Sequence, residues 1–317
     1  MSEPLVLALP SKGRLKEQVE AWLTDCGLGL SMVGGARGYS AELKGVENVQ
    51  VRFLSAGDIA QALDAGEVHM GITGEDLLRE RGDDLERRVM LLRALGFGRA
   101  DLVVAVPKNW LDVETMADLE EVAHDLLSRT GRRMRVATKY LAQTRSYFAR
   151  HGVVDYRITE SSGATEGAPA SGLAELVVDI TTTGATLVAN GLKPLEDGVI
   201  LKSQAQLAAA LGADWHVQQL KAAEAFLRAI EARAIAHSSA TLIWPAGSDD
   251  EPVIAALVAQ GATRRPNGLL VPVGMVGKAA AALTALGIGP VTASRPDFVF
   301  EAECAPVQRL HGEIENI

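Results

Sequence analysis

The sequence predicts an α/β protein, and three observations point to this fold class. Short apolar runs alternate along the chain with longer segments in which apolar residues recur at helical spacing. Units of strand, small-residue turn and helix recur across residues 1–192. The chain has 317 residues, of which 48% are hydrophobic and 22% charged, which is ordinary for a globular protein of two or three domains. The apolar runs are therefore expected to form buried, mainly parallel strands.

The first part of the chain contains three strand-and-helix units. Strands are expected at residues 4–9, 49–55 and 68–73. The first helix covers residues 15–28 and stops at Gly27, a residue type that suits a helix C-terminus. The second helix opens with Asp58, a residue type that is favoured at the N-cap. The third strand leads directly into a helical segment that starts at Gly74.

The same alternation continues through the middle of the chain. Strands are expected at residues 101–107, 135–138 and 174–180. The polar segment 108–134 predicts a surface helix, and another helix is expected from Tyr140 to Arg150. The composition changes near Asp214, after which residues 218–236 predict one long amphipathic helix. The rest of the chain alternates strand and helix, with a last strand expected at residues 297–303, and predicts a separate α+β module of βαβαβ type.

Charge and cysteine content exclude several kinds of function. The formal net charge of −9 argues against binding to nucleic acid or to an anionic membrane, because surfaces that do so are usually strongly basic. Cys26 and Cys304 stand far apart and lack the spacing of zinc ligands or of a disulfide framework. The apolar run at residues 5–10 is too short for a signal peptide. We therefore expect a cytoplasmic protein that binds neither nucleic acid nor a membrane.

The most informative stretch is DITTTGATLVANGL, residues 179–192. An acid ends an apolar run, and small hydroxyl residues then open a helical pattern. Such a loop offers free backbone N–H groups, short hydroxyl donors and the positive end of a helix dipole, which together suit a phosphate. Gly184 and Ala185 allow close approach of the ligand, and Asp179 is placed to reach ribose hydroxyls or a phosphate-bound cation. The alternative is that the threonines only cap a helix.

Further segments of the chain resolve this choice. They are ALPSKGRL (8–15), GITGEDLL (71–78), GFGRADLVVAVP (96–107), RVATKYLAQTRSYF (135–148) and the region 163–192. In this order they closely resemble the ATP phosphoribosyltransferase family, which carries out the first step of histidine biosynthesis. The resemblance covers residues 5–210, and the family's phosphoribosyl-pyrophosphate loop corresponds to Asp179 through Leu187. Many members carry an Arg before Asp-Ile and a Pro after it, whereas this chain reads FLSAGDIAQAL, so a role for that Arg is not expected here.

The resemblance implies transfer of a phosphoribosyl group to N1 of ATP with release of pyrophosphate. Such an enzyme must hold the charge of the leaving group, position the adenine and keep water out, and it needs no covalent nucleophile. Mg²⁺, bound mainly by the donor's pyrophosphate and hydroxyls, is the implied cofactor. Glu166 and Asp179 are the carboxylates expected at the ribose hydroxyls or at magnesium-bound water.

The implied site residues fall into three groups. The catalytic candidates are Glu166, Asp179 and Lys12. The candidates for binding phosphoribosyl pyrophosphate are Asp179, Thr182, Thr183, Gly184, Ala185 and Thr186. The candidates for binding ATP are Lys12, Gly13, Arg14, Gly74, Glu75, Asp76, Lys139 and Tyr140.

Several of these residues have a purely structural alternative. Lys12 and Arg14 can be solvated surface charges, and one of Glu75 and Asp76 can cap the helix that follows them. Tyr140 can pack beneath the loop without touching a ligand. The histidines lack metal-ligand spacing, so they are expected to be structural or on the surface.

The resemblance also implies a domain organisation. The catalytic core would have two lobes, like type II periplasmic binding proteins, with the active site between them. Residues 1–97 with 191–216 would form the first lobe, which binds mainly ATP, and residues 98–190 the second, which binds the phosphoribosyl donor. The chain would leave the first lobe near Gly98 and return near Asn190. Residues 217–317 would form a small ACT-like domain. It would either bind histidine as a feedback inhibitor, at the glycine-containing turns around Gly268 to Gly277, or only support a homo-oligomer.

Other readings remain open at this point. The same fold serves solute-binding proteins and effector domains, although the absence of a signal-peptide pattern and of a helix-turn-helix module disfavours both. Other phosphoribosyltransferases usually place two adjacent acids before the threonine-rich loop, and this chain has only Asp179. Short-form family members depend on a partner that resembles histidyl-tRNA synthetase, but the length of this chain favours the long form. A homo-oligomer, dimer or hexamer, is expected.

Overall fold

A computed structural model describes residues 3–33, 40–161, 163–245 and 251–315. Its strands are β1 (Leu5–Pro10), β2 (Gly29–Val33), β3 (Ser40–Lys44), β4 (Val49–Leu54), β5 (Met70–Gly74), β6 (Val89–Ala94), β7 (Ala100–Pro107), β8 (Met134–Thr138), β9 (Tyr156–Glu160), β10 (Leu176–Thr181), β11 (Leu192–Ser203), β12 (Ala205–Ala210), β13 (Ser239–Ile243), β14 (Thr263–Arg265), β15 (Gly268–Pro272) and β16 (Thr292–Ser294). Its helices are α1 (Gly13–Asp25), α2 (Ala56–Asp64), α3 (Glu75–Arg79), α4 (Met116–Thr130), α5 (Leu141–Arg150), α6 (Ala185–Ala189), α7 (Val217–Ser238), α8 (Glu251–Ala259), α9 (Val276–Thr284) and α10 (Ala305–Ile314). The predicted α/β class is confirmed. None of the helices in these ranges has the length and apolarity that a membrane span requires.

Two mixed sheets form the two lobes of the catalytic region. The first sheet has the order β2-β3-β4-β1-β5-β12-β6, and the second has the order β11-β7-β10-β8-β9. The parallel pairs are β1 with β4 and β5 in the first sheet, and β8 with β10 and β9 in the second. The other pairs are antiparallel, so the prediction of mainly parallel strands is wrong. The antiparallel strands are β7 and β12 at the crossings between the lobes, with their neighbours, and the run β2-β3-β4 at one edge of the first sheet.

The chain crosses between the lobes twice. It leaves the first sheet after β6 and enters the second at β7, and Gly98 lies between these two strands. It returns between β11 and β12, at Gln204. The expected return near Asn190 is therefore too early, because all of β11 lies beside β7 in the second sheet. The register of that pair is irregular between Pro194 and Leu201, which weakens the alternating pattern that would have marked β11 as a strand.

Local signals set most helix ends, with one correction. After α1, Gly27 has a φ of +73°, a conformation that glycine adopts at little cost. The N-cap of α2 is Ser55 and not Asp58: the Ser55 Oγ accepts a hydrogen bond from the Asp58 N–H at 3.2 Å. The helix therefore begins at Ala56, and Asp58 lies in its first turn, where its negative charge favours the helix dipole.

The third sheet has the order β14-β15-β13-β16, and all of its pairs are antiparallel. Its elements follow the sequence β-α-β-β-α-β and not the predicted βαβαβ, because β14 and β15 form a hairpin between the helices α8 and α9. The strand expected at 297–303 does not form, and β16 takes its place in the sheet. Residues 297–303 instead pass beside α7, where the Val299 N–H donates to the Ala232 carbonyl at 2.9 Å.

The helices α7 and α10 belong to the core of the first lobe. Phe226, Leu227 and Ile230 of α7 are buried in the same cluster as Leu5 and Leu7 of β1. Residues Val307 and Leu310 of α10, a helix that the sequence pattern did not predict, lie in this cluster too. The proposed domain boundary at residue 217 stays a prediction, and the third sheet itself begins at Ser239.

Candidate active site

Charged residues from both lobes surround Asp179 at the end of β10. Burial raises the pKa of the Asp179 carboxyl, and the negative charges of Glu166 and Asp76 act in the same direction. The positive charge of Lys139 and a hydrogen bond from the Ile180 N–H, 2.8 Å long, oppose this shift. Of these four predicted site residues, three therefore lie close enough to the fourth, Asp179, to influence its carboxyl. Asp76 comes from the first lobe, and the other three come from the second.

The threonine-rich loop follows Asp179 directly. Gly184 has a φ of +75° and precedes α6, which is only five residues long, so the helical pattern read from 179–192 is much shorter than expected. The Gly184 N–H donates to Thr181 Oγ1 at 2.8 Å, and the Ala185 N–H donates to Thr183 Oγ1 at 3.4 Å. The Thr181 hydroxyl thus serves as the hydrogen-bond acceptor for the Gly184 N–H inside the turn. The other predicted loop residues Thr182, Thr183, Ala185 and Thr186 are exposed and accessible to a ligand.

The N-terminus of α3 meets α5 across the two lobes. The Tyr140 hydroxyl donates to Asp76 Oδ2 at 2.6 Å, and the Ser203 hydroxyl donates to Asp76 Oδ1 at 2.8 Å. All three residues are buried, and Tyr140 has no exposed surface. Burial, together with the neighbouring Asp76 charge, raises the pKa of Tyr140, which therefore acts as a hydrogen-bond donor. Tyr140 lies beneath the site in this conformation, as its structural alternative supposes, and Lys139 Nζ lies 4.9 Å from the centroid of its ring.

Neither acid that follows Gly74 caps α3. The N-cap is Gly74 itself, and Glu75 and Asp76 both lie in the first turn. The Glu75 carboxylate accepts a hydrogen bond from Gln206 Nε2 at 2.8 Å and pairs with Arg79 of the same helix. The expectation of a capping role for one of these acids is therefore wrong, because their side chains are engaged by partners from β11 and β12 and from the second lobe.

The basic residues after β1 are accessible. Lys12 occupies the N-cap position of α1, and Gly13 has a φ of +76°. Lys12 and Arg14 are both exposed, and no ion pair of either is found within the described ranges. No Arg stands between Leu54 and Asp58 in this chain, and Ser55 of this segment caps α2.

A cavity of about 390 Å³ adjoins the loop and identifies residues that the sequence patterns missed. Its lining includes Arg99, Asp101, Thr181, Thr182, Lys202 and Gln204. Arg99 lies inside the GFGRADL segment and could have been noticed there. Lys202 and the neighbouring Ser203 had no signal, because β11 was not predicted as a strand. A larger cavity of about 840 Å³ opens along β3 and β4, but Asp179 and the loop residues do not line it.

The described residues hold no cluster of three or more His, Cys, Asp or Glu side chains arranged to bind a metal ion. A magnesium ion would therefore need oxygen ligands from the substrate as well as from the protein. Asp179 and Glu166 fit this requirement, since they supply hard carboxylate oxygens beside the loop. Two of the histidines have other partners: the Val6 N–H donates to His69 Nδ1 at 3.1 Å, and His237 pairs with Asp25.

Comparison with known proteins identifies one enzyme family. The family model described as ATP phosphoribosyltransferase (HisG) matches residues 55–232, more than half of the chain. An ATP phosphoribosyltransferase from Caulobacter vibrioides is 66% identical over 312 residues, 98% of each chain. Another from Bradyrhizobium sp. is 59% identical over 234 residues, 74% of this chain and 72% of the relative. Among solved structures, the ATP phosphoribosyl transferase (HisG:HisZ) complex from Thermotoga maritima matches with a TM-score of 0.55 and 26% identity, covering 72% of this chain and 96% of that one.

Proposed function

Because the chain belongs to the ATP phosphoribosyltransferase family, we infer that it transfers the phosphoribosyl group of phosphoribosyl pyrophosphate to N1 of ATP. The products are phosphoribosyl-ATP and pyrophosphate, and the reaction is the first step of histidine biosynthesis. The observation that carries this inference is the 66% identity to a curated member over nearly the whole chain. The catalytic core has the two-lobed fold of type II periplasmic binding proteins, but the alternative of a non-catalytic binding protein is not favoured.

We propose that the loop after β10 holds the phosphoribosyl donor. The exposed hydroxyls of Thr182, Thr183 and Thr186 would donate to its phosphate, and Ala185 would leave room for close approach. Gly184 is required by the turn itself, because its φ of +75° is strained for other residues. Asp179 would accept hydrogen bonds from the ribose hydroxyls, with its charge balanced by Lys139.

The reaction needs stabilisation of a departing pyrophosphate and of a positive charge that develops at C1 of the ribose. The neighbouring carboxylates of Asp179 and Glu166 would favour such a positive charge on the ribose. The exposed cations Lys12 and Arg14 are proposed to bind the phosphates of ATP, with Gly13 allowing the close turn between them. Glu75 and Asp76 would border the ATP side of the cleft, behind Gly74.

We propose Mg²⁺ as the cofactor. Bound to the donor's pyrophosphate, it would neutralise charge on the leaving group. Asp179 and Glu166 would hold it, directly or through water, while they position the ribose. The position of these carboxylates beside a phosphate-binding loop supports this assignment.

The chain is proposed to work without a catalytic partner protein. Its length fits the long form of the family, as the match to the Caulobacter vibrioides relative over 98% of both chains indicates. The Thermotoga maritima protein was solved as a complex with a second protein, HisZ. We expect this chain to assemble only with copies of itself, as a dimer or a hexamer.

The experiment that tests this function mixes the pure protein with ATP, phosphoribosyl pyrophosphate and Mg²⁺. Formation of phosphoribosyl-ATP is followed by the change in ultraviolet absorbance, and the product mass is checked. We expect adduct only when both substrates and the metal ion are present. A protein that binds a small solute but forms no adduct with both substrates would instead support the binding-protein alternative.

A further inference from the structure

We propose that Ser203, Asp76 and Tyr140 form a hydrogen-bonded joint that fixes the spacing of the two lobes, and that Ser203 and the Tyr140 hydroxyl are positioning residues for the transfer reaction. The proposal rests on the proposed function for its kinetic part only. Its structural part concerns the lobes themselves and stands on the contacts of the three side chains.

The joint brings together three side chains that are far apart in the sequence. Asp76 lies in α3 of the first lobe, Tyr140 is the N-cap of α5 in the second, and Ser203 is the last residue of β11, next to the crossing at Gln204. One carboxylate oxygen of Asp76 accepts from Tyr140 and the other accepts from Ser203. The Ser203 Oγ also accepts from the Asp76 N–H at 3.0 Å. The Asp76 carboxylate is thus hydrogen-bonded both to the second lobe, through Tyr140, and to the residue before the crossing, Ser203.

A second contact lies next to the first. Both Glu80 carboxylate oxygens accept from the opening turn of α5, from the Ala142 N–H at 2.8 Å and the Gln143 N–H at 3.2 Å. The Gln143 side-chain amide donates to the Asp76 carbonyl at 2.8 Å. An acid of the first lobe therefore satisfies N–H groups at the end of a second-lobe helix that would otherwise need a cap. Two contacts along α3 resist rotation better than a single one.

The backbone before Asp76 is adapted to the joint. A Cβ at Gly74 would lie 2.3 Å from Asp76 Oδ1, closer than any side chain can approach. Gly74 is therefore needed so that the Asp76 carboxylate can fold back toward Ser203. With an exposed fraction of 6%, Asp76 depends on protein donors in place of water, so breaking either hydroxyl contact leaves a buried charge poorly satisfied. The lobes should accordingly prefer the spacing at which both contacts form.

This spacing matters for catalysis because each substrate is expected to bind mainly one lobe. The distance from N1 of ATP to C1 of the ribose is then set by the lobe positions, and small errors in such distances reduce rates strongly. Loss of the joint should lower kcat while each substrate still binds its own lobe. Binding and rate constants therefore separate a positioning residue from a residue that touches substrate.

The test uses Tyr140→Phe and Ser203→Ala in the full chain, which remove one hydroxyl each. Tyr156→Phe is the matched control, because Tyr156 lies on the edge strand β9 of the second sheet and packs on Phe148. We expect kcat of both joint variants to fall by roughly ten- to a hundredfold, as for misplaced reacting groups. Calorimetric affinities for ATP alone and for the donor alone should change by less than about threefold. Small-angle X-ray scattering of the ligand-free variants should show a larger radius of gyration than wild type and control.

Three outcomes would overturn the proposal. Scattering curves of both joint variants that match wild type would show that the hydroxyls do not set the lobe spacing, whatever the rates. Altered scattering with kcat equal to that of Tyr156→Phe would remove the positioning role. A large loss of ATP affinity in Tyr140→Phe with unchanged kcat would make Tyr140 a ligand contact. The scattering needs no substrate, so it still tests the joint if the wild-type protein were to form no adduct.

Discussion

At the scale of single residues, Asp179 carries an energetic conflict between stability and function. Its pKa is raised chiefly by burial, so the folded protein binds a proton at this carboxyl more tightly than the unfolded chain does. The resulting contribution to the free energy of unfolding is present below the ordinary Asp pKa and is lost as the pH rises through the folded-state pKa. At neutral pH the ionised carboxylate therefore lowers stability, a cost that fits the proposed role of Asp179 in binding substrate.

We predict that Asp179→Asn raises the melting temperature at pH 7, because the amide removes a buried charge yet can still accept from the Ile180 N–H. The gain should shrink as the pH falls toward the ordinary Asp value. Activity should fall by roughly ten- to a hundredfold or more, since a hydrogen bond to a charged acceptor contributes about 1.5–3 kcal/mol. Calorimetric melts across a pH series check this, with the exposed Asp112→Asn as control. A lower melting temperature at pH 7 would contradict the assignment.

A second prediction concerns the exposed threonines of the loop. Thr183→Val and Thr186→Val keep the side-chain volume but remove a hydroxyl donor to a charged phosphate. Affinity for phosphoribosyl pyrophosphate should fall by roughly ten- to a hundredfold, at about 1.5–3 kcal/mol for each bond, with ATP binding less affected. Titration calorimetry measures both affinities, and Thr284→Val on α9 is the control, since its hydroxyl donates within its own helix. Unchanged donor affinity with a lower melting temperature would mean that these threonines only support the turn.

At the scale of elements, local capping signals determine where several helices begin. At α4, Thr115 Oγ1 accepts from the Asp118 N–H at 3.3 Å, while the Asp118 carboxylate accepts from the Thr115 N–H at 2.8 Å. This reciprocal capping box satisfies two N–H groups that the helix leaves free. At the other end, Gly131 has a φ of +69°, so the helix ends where only glycine is unstrained.

We predict that Thr115→Ala lowers the free energy of unfolding by about 1 kcal/mol, because it removes the cap of α4. Thr115→Ser keeps the hydroxyl and should lose much less. The helix covers the outside of the second lobe, so kcat should be unchanged in both variants. Urea denaturation followed by circular dichroism gives the difference, and equal losses for Ala and Ser would show that the cap does not stabilise this helix.

The elements also show which parts of the fold the sequence could predict. Central strands such as β1 and β7 are continuous apolar runs that are buried on both faces, so their pattern is strong. β12 is equally buried, but its alanine-rich sequence, AQLAAA, has weak strand propensity, and only pairing between β5 and β6 makes it a strand. Residues 297–303 show the reverse error. Their aromatic residues favour a strand, but Phe298 and Phe300 stack on each other beside α7, outside the sheet.

The sequence could predict the part of the candidate site in which one segment supplies both the loop and the local contacts that shape it, as at residues 179–186. It could not predict the part in which a residue acts through a distant partner. The Ser203 hydroxyl reaches Asp76 across 127 positions in the sequence, and no local pattern encodes such a contact. Tyr140 could be named from the sequence motif around it. Its burial beneath the cleft depends on the packing of two lobes, which that motif does not encode.

At the scale of the whole molecule, the third sheet is tied to the first lobe by two helices. The hydrophobic cluster of β1 includes residues from α7 and α10, which flank the third sheet in the chain. The Arg233 side chain of α7 also pairs with Asp25 at the end of α1 and donates to the Asp297 carbonyl at 2.7 Å. The helices on either side of the third sheet in the chain are therefore part of the first lobe. Removing residues 217–317 would also strip core side chains from that lobe, so truncation cannot isolate a regulatory effect.

The last prediction is feedback by histidine through the third sheet, with point variants in place of truncation. The predicted histidine site lies at the turns around Gly268 to Gly277, where N–H groups can bind a carboxylate. Gly268 is required by the sheet, since a Cβ there would lie 1.9 Å from the Leu242 carbonyl oxygen. Gly274 is exposed, and a Cβ there meets open space. Gly274→Asp should therefore preserve the fold while its negative charge repels the carboxylate of histidine.

If the third sheet is a histidine sensor, we expect histidine to lower the initial rate of the intact enzyme without competing with the phosphoribosyl donor, because the two sites would be coupled without overlapping. In Gly274→Asp the concentration for half inhibition should rise by roughly tenfold or more, about 1.4 kcal/mol, with the uninhibited rate unchanged. Gly212→Asp, at an open surface turn of the first lobe, is the matched control. Light scattering of the same samples follows assembly. If histidine leaves the rate of the wild-type enzyme flat, the third sheet is not a histidine sensor, and a change of mass in Gly274→Asp would then assign this surface to the contact between copies of the chain.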